Sequence, residues 1–211
     1  MTLNRQVPAH SSQRPWLAKF KSEVFPLLAI LLLMTIARSS FANHYVVPSG
    51  SMEHSLMPGD RVVVDMMAYG LRVPFTDIDI VSRGTPQAGD VVVFDSPVDD
   101  VRLIKRVVAV GGDAVDLQAG HLTVNGIALQ SDAQADVEIM AGHTALLNLD
   151  AGGGPDIRGM AIPQDDVLVL GDHRGASADG RYFGLVPARE FYGRASHVYW
   201  RRGEGFVWKR L

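Results

Sequence analysis

The stretch Val46–Val64, "VVPSGSMEHSLMPGDRVVV", leads from a loop of small and bending residues into three consecutive valines. Valine is β-branched and packs well on a pleated surface, so "RVVVD" at 61–65 reads as a strand that starts after the Pro58-Gly59-Asp60 turn. The pattern recurs outward along the chain in "DVVVF", "VLVLGD" and "SHVYW". Gly, Pro and Asp interrupt each of these apolar runs before a helix of ordinary length could form. A chain of 211 residues buries one good core, so the expected fold is mostly β, a single globular unit with room for an inserted sub-domain.

Composition excludes several chemistries. The chain has no cysteine, which removes disulfides and thiolate metal sites and selects no compartment. The net charge of −3 is unevenly laid out: residues 1–23 carry +3, the last 23 residues +4 and the middle −10. The bases form no stripe within the folded middle, so nucleic acid is not an expected partner. The basic C-terminal cluster, with "WRR" and "WKRL", reads either as a solvated face or as a contact for lipid headgroups.

Between Glu23 and Arg38 lies the uncharged run "VFPLLAILLLMTIA". As a helix its 14 residues would span roughly 21 Å against a hydrocarbon core of roughly 30 Å. Three readings stand: a cleaved signal peptide ending at the small-x-small site Ser40-Phe41-Ala42, a buried core helix, or a membrane anchor lengthened by snorkelling of Lys19, Lys21 and Arg38, with Trp16 and Tyr45 near the interfaces. In either membrane reading the preceding bases keep the N-terminus cytoplasmic and everything after about residue 43 is exported.

Pro48 and Gly50 bend the backbone around Ser51, which would hold its hydroxyl at a sheet edge. An isolated "SGS" is ordinarily a turn. A catalytic serine also needs a base to take its proton, and the candidates are His44, His54, His173 or a lysine. Beyond the N-terminal segment the chain has only Lys105 and Lys209. Lys105 sits in "DVRLIKRVVAVGGD" (100–113), where strand alternation sets it on the face of Leu103 and Val107, opposite Ile104 and Arg106. Buried there, it would be neutral near physiological pH and suited to general-base work; exposed, it is an ordinary base beside Arg106. A third segment, "VLVLGDHRGASADGRYFGLVP" (167–187), packs Asp172, Arg174, Ser177, Asp179 and Arg181 into ten positions. That density suggests paired charges fixing the shape of a loop.

Read in order, five stretches resemble the bacterial type I signal peptidases, membrane-anchored serine proteases with a Ser/Lys dyad. "PSGSM" with the following "L..GD" looks like the nucleophile box and "DMMAYGLRVP" like the box after it. "GDVVVF" with "IKRVVAVGGD" is similar to the lysine box, "GHLTVNG" to a strand of the inserted sub-domain, and "GDHRGASADGRYFGLVP" to the last box.

The resemblance implies an antiparallel-sheet catalytic domain with an inserted small β sub-domain, preceded by one N-terminal transmembrane helix. Its divisions would be a cytoplasmic segment 1–23, an anchor 24–42 and an exported peptidase domain 43–211, with the sub-domain at about 112–165. It implies that Ser51 is the nucleophile and Lys105 the general base, and that Ser49 completes an oxyanion hole with the Ser51 backbone N–H. Ser177 would orient Lys105, and the pair Asp179–Arg181 would support the loop. Val47, Pro48 and Ile104 would shape shallow pockets for small residues, hence an Ala-x-Ala preference. The implied substrates are signal peptides of preproteins leaving the export machinery, cut at the outer side of the bacterial cytoplasmic membrane and in contact with the bilayer, without metal or cofactor.

His54, Ser55, His173 and Gly180 depart from the family pattern, and His173 keeps a Ser/His arrangement open. Phe75 and Met66 to Tyr69 are expected either on lipid or in the core. The rivals to a general signal peptidase are a maturase dedicated to one secreted protein, a silent membrane-tethered peptide-binding protein and a self-cleaving regulator.

Overall fold

The computed structural model describes residues 20, 23–31, 42–72, 79–82, 84–99 and 101–211. It is mostly β with few helices, and every paired strand is antiparallel. Two compact units divide at residue 39.

In the first unit, residues 23–31 are helical (α1), with Phe25, Leu27, Leu28, Ile30 and Leu31 exposed. Among the described residues no helix is long and apolar enough to cross a membrane. The expected span over 24–42 therefore has no complete counterpart in the described chain, because residues 32–41 lie outside it. Phe75 also lies outside the described residues.

The second unit is built on an eight-stranded sheet. Its strands are β1 (Ala42–Val46), β2 (Arg61–Asp65), β5 (Val91–Asp95), β6 (Arg102–Val110), β13 (Asp166–Leu170), β14 (Val186–Pro187), β15 (Gly193–Arg201) and β16 (Gly205–Arg210). The order is β1-β2-β15-β5-β6-β13-β14, with β16 on β15. A short ribbon of β3 (Gly70–Arg72) and β4 (Asp79–Ser82) follows β2.

Strand alternation divides the core between the two faces of this sheet. On β5, Val91 and Val93 join one cluster, with Val47, Met52, Leu56, Val62 and Val64, while Val92 and Phe94 join another, with Val107, Val167, Val169 and Phe191. A strand buried on both faces has no polar face to present, which is why "VVVF" is apolar without interruption. β2 is buried at Val62 and Val64 and open at Arg61. Met66 packs against the first cluster and Tyr69 against the second, so these two are held by the core.

Between β6 and β13, neighbours in the main sheet, the chain makes sheets of its own. β7 (Ala114–Gln118), β8 (His121–Val124), β9 (Ile127–Ala128) and β12 (Ile157–Ala161) form one, and β10 (Val137–Met140) with β11 (His143–Leu146) the other. Val115, Leu117, Leu122, Met140 and Leu147 from this excursion share a cluster with Val108, Leu168 and Leu170 of the main sheet. The insertion is thereby seated on the strand that carries Lys105 and on β13.

Candidate active site

The loop bearing Ser51 is closed at its base by backbone bonds: Val47 N–H donates to Asp60 O at 2.9 Å and Gly59 N–H to Val47 O at 2.8 Å. Arg201 grips the Asp60 carboxylate, Nη2 to Oδ2 at 2.8 Å. Met52 and Leu56 are fully buried and plug the loop into the core on either side of the exposed His54. Ser51 is thus fixed by its neighbours' burial, and is itself only 8% exposed.

Lys105 reaches this serine from the middle of β6. Its Nζ lies 2.5 Å from Ser51 Oγ, across 54 residues of sequence, and the lysine is 2% exposed. Burial pushes its pKa down from 10.5 to about 8; Asp179 and Asp172 pull it back up and Arg181 presses it down further. Burial disfavours the ammonium because a charge loses its hydration there. The exposed-base reading of Lys105 does not hold: it and Arg106 are both buried, on a strand covered on both faces.

The rings of the three histidines make no hydrogen bond to the Ser51 hydroxyl. His44 and His54 are exposed, and His44 packs edge-on against Tyr199. The His173 ring faces Gly50 O, Glu53 and Asp150.

Ser49 donates to Ser51 Oγ at a long 3.4 Å. Val47, Pro48 and Ile104 come together with Tyr45, Val93 and Leu103 around one mostly apolar pocket. No cluster of potential metal ligands is present among the described residues.

The third segment closes over the back of the site. After β13, Gly171 lies so close to Ser177 Oγ and Ser51 O that a Cβ there would stand 2.2 and 2.4 Å from them. Asp179 caps the short helix α2 (Gly180–Phe183) and accepts from Gly171 N–H at 2.9 Å. Arg181 binds both Asp179 oxygens at 2.8 Å and Gly153 O at 2.7 Å. Ser177 Oγ is buried without a hydrogen-bond partner, so the bond to Lys105 that the resemblance implies is not made here.

A family model described as "Signal peptidase, peptidase S26" matches residues 21–200. The chain belongs to the signal peptidase family, peptidase S26.

As a member of that family it is a serine endopeptidase. It is 31% identical to the signal peptidase I of Pseudomonas aeruginosa, over 89% of this chain and 74% of that one. It is 30% identical to the signal peptidase I of Pseudomonas fluorescens, with the same coverage. A probable signal peptidase I-2 of Synechocystis is 31% identical over 89% of this chain and 75% of the other.

Three features of this signal peptidase family member escape sequence reasoning. Asp172 is held by Arg106, next to Lys105. Arg174 is held by Glu138 of the insertion at 2.5 Å. His173 bridges the Ser51 loop and Asp150. The density of charge between Asp172 and Arg181 signals that such pairs exist, but two of the partners sit on strands remote in sequence.

Proposed function

We propose that this chain removes N-terminal signal peptides from exported preproteins by a Ser51/Lys105 mechanism. One observation carries the reading: a buried lysine amine lies 2.5 Å from a buried serine hydroxyl. As Ser51 Oγ attacks the scissile carbonyl carbon, Lys105 Nζ takes its proton and the carbonyl π pair moves onto oxygen. The Ser51 N–H and the Ser49 hydroxyl hold that oxyanion. Collapse breaks the C–N bond, and the Lys105 ammonium gives its proton to the leaving amine. Water, deprotonated by the same lysine, then attacks the ester carbonyl; the acyl C–O bond breaks, and Lys105 returns the proton to Ser51 Oγ. Ser177, buried beside the loop and unpartnered, has a hydroxyl available to steer Lys105, while the Asp179–Arg181 pair keeps that loop in place.

The apolar pocket at Val47, Pro48 and Ile104 supports a preference for small residues, Ala-x-Ala, before the cut, since a pocket bounded by apolar walls rejects what overfills it. The uncharged run before the domain supports an anchor over 24–42 in the bacterial cytoplasmic membrane, with the catalytic domain on the exported side where signal peptides leave the bilayer.

The test is cleavage of a model preprotein with an Ala-x-Ala site by the detergent-solubilised chain, beside Ser51→Ala and Lys105→Met. Cutting at that bond by the parent alone is the expected result. A folded parent inert on several such substrates, or an active Lys105→Met, overturns the reading.

A further inference from the structure

His173 touches the nucleophile loop twice. Its backbone N–H donates to Ser51 O at 3.1 Å, and its ring Nδ1 lies 3.3 Å from Gly50 O. These two carbonyls belong to the peptide groups on either side of Ser51, so one residue grips the nucleophile's backbone fore and aft. The Gly50 carbonyl also accepts from Glu53 N–H at 3.0 Å. On its far side the ring is held by Asp150, Nε2 to Oδ1 at 2.7 Å, and Nδ1 has Glu53 Oε2 at 3.4 Å. Both ring nitrogens face oxygen acceptors.

The Gly50–Ser51 peptide is trans and planar, so its C=O and N–H point in opposite directions. Whatever fixes Gly50 O therefore fixes the direction of the Ser51 N–H, the donor assigned above to the oxyanion. We propose that His173, oriented by Asp150, is a positioning residue that sets the Gly50–Ser51 peptide plane and thereby aims the Ser51 N–H at the developing oxyanion. This rests on the Ser51 reading under Proposed function. Asp150 belongs to the inserted sub-domain, so the arrangement makes the insertion a support for the catalytic loop. Gly50 is the weak point that needs it: a glycine peptide turns more freely than any other.

The test uses the full detergent-solubilised chain with a peptide substrate and the matching peptide aldehyde, which forms a tetrahedral adduct on a nucleophilic serine. An oxyanion donor is worth about 100-fold or more in kcat, so a loosened one is expected to cost about 10- to 100-fold. His173→Ala should lose that in kcat with KM within about threefold, and should bind the aldehyde weaker by the same factor. His173→Asn carries an amide nitrogen at the Nδ1 position and should recover to within about fivefold of the parent. Asn does not extend to Asp150, so Asp150→Ala should lower kcat in the parent and do nothing in the His173→Asn background, a non-additive cycle. The Asn background also keeps the test decisive if His173→Ala fails to fold.

A His173→Ala enzyme with parental kcat, or an Asp150→Ala effect equal in both backgrounds, overturns the proposal. Ser51→Ala, run in parallel, separates the two readings. If it still cuts, the Ser51 reading itself falls; if it is dead while His173→Ala cuts normally, only the positioning role falls.

Discussion

Arg106 and Asp172, 66 residues apart in sequence, meet as a bidentate ion pair in the core: Nε to Oδ1 at 2.9 Å and Nη2 to Oδ2 at 2.7 Å, with each side chain 1% exposed. Arg106 adjoins Lys105 and Asp172 adjoins Gly171, which packs against the Ser51 loop, so the pair ties the two halves of the candidate site together. Its remaining donors go to Gly89 O at 2.9 Å and Ser55 Oγ at 3.2 Å. Removing one partner leaves a buried charge without compensation, which costs about 3–5 kcal/mol. Asp172→Ala should therefore lower the melting temperature by about 10 °C or more for a domain of this size. The apolar double variant Arg106→Met/Asp172→Leu should recover much of the loss. Thermal unfolding followed by circular dichroism checks both.

To act as the proposed base Lys105 must be neutral, and burial brings its pKa down to about 8. The kcat/KM for preprotein cleavage should rise with pH along a limb with its midpoint near 8, falling about tenfold per unit below it. Lys105→Arg should be inactive throughout, because a guanidinium does not give up its proton. A pH–rate profile on both proteins is the check.

The same group predicts a stability effect of definite sign. Below about 8 both folded and unfolded states hold the Lys105 proton, and the folded state bears the full cost of a buried ammonium. Between about 8 and the unfolded value of 10.5 the folded lysine is neutral while the unfolded one is still charged. The unfolded state then binds more protons, so this contribution to stability rises with pH. Lys105→Met should be more stable than the parent at neutral pH, by about 3 kcal/mol at most, and the difference should vanish toward the upper end of that window. Urea unfolding at two pH values measures it.

Gly171→Ala would thrust a Cβ to 2.2 Å from Ser177 Oγ and 2.4 Å from Ser51 O. The hydroxyl can rotate away, but Ser177 Cβ, at 2.5 Å, and the Ser51 backbone carbonyl cannot. An active site displaced by about 1 Å loses about 100-fold in rate, so kcat should drop by that order. Adding Ser177→Ala should not restore it, because the backbone clash remains.

Ile104 walls the apolar pocket assigned above to the substrate. Ile104→Ala should widen it and relax the preference for Ala over Val before the cut by about tenfold, the range that a methylene or two commands in a hydrophobic pocket. Paired peptide substrates differing at that residue give the ratio of kcat/KM.

Much of this protein is written locally. The valine runs specify strands because β-branched side chains favour a pleated surface, and the turns at Pro58-Gly59 and at Gly111-Gly112 stop them where the structure ends or begins a strand. The serine loop, Lys105 and the Asp179–Arg181 pair each lie within one short stretch, so the residues that meet there are visible in the sequence. The uninterrupted run "VVVF" also marks a strand covered on both faces. That local pattern could not say which residues would do the covering.

The sequence by itself determined the β class of the domain and the residue types of the site, because both depend on side-chain chemistry and short-range periodicity. Only the tertiary structure decided that Lys105 is buried against Ser51, that Arg106 is paired with Asp172 and Arg174 with Glu138, and that His173 stands between the Ser51 loop and Asp150. Those outcomes follow from which strands become neighbours when β6 and β13 pair around the insertion. A buried charge is tolerated only where a partner from elsewhere in the chain arrives to meet it, and no local stretch of sequence contains that partner.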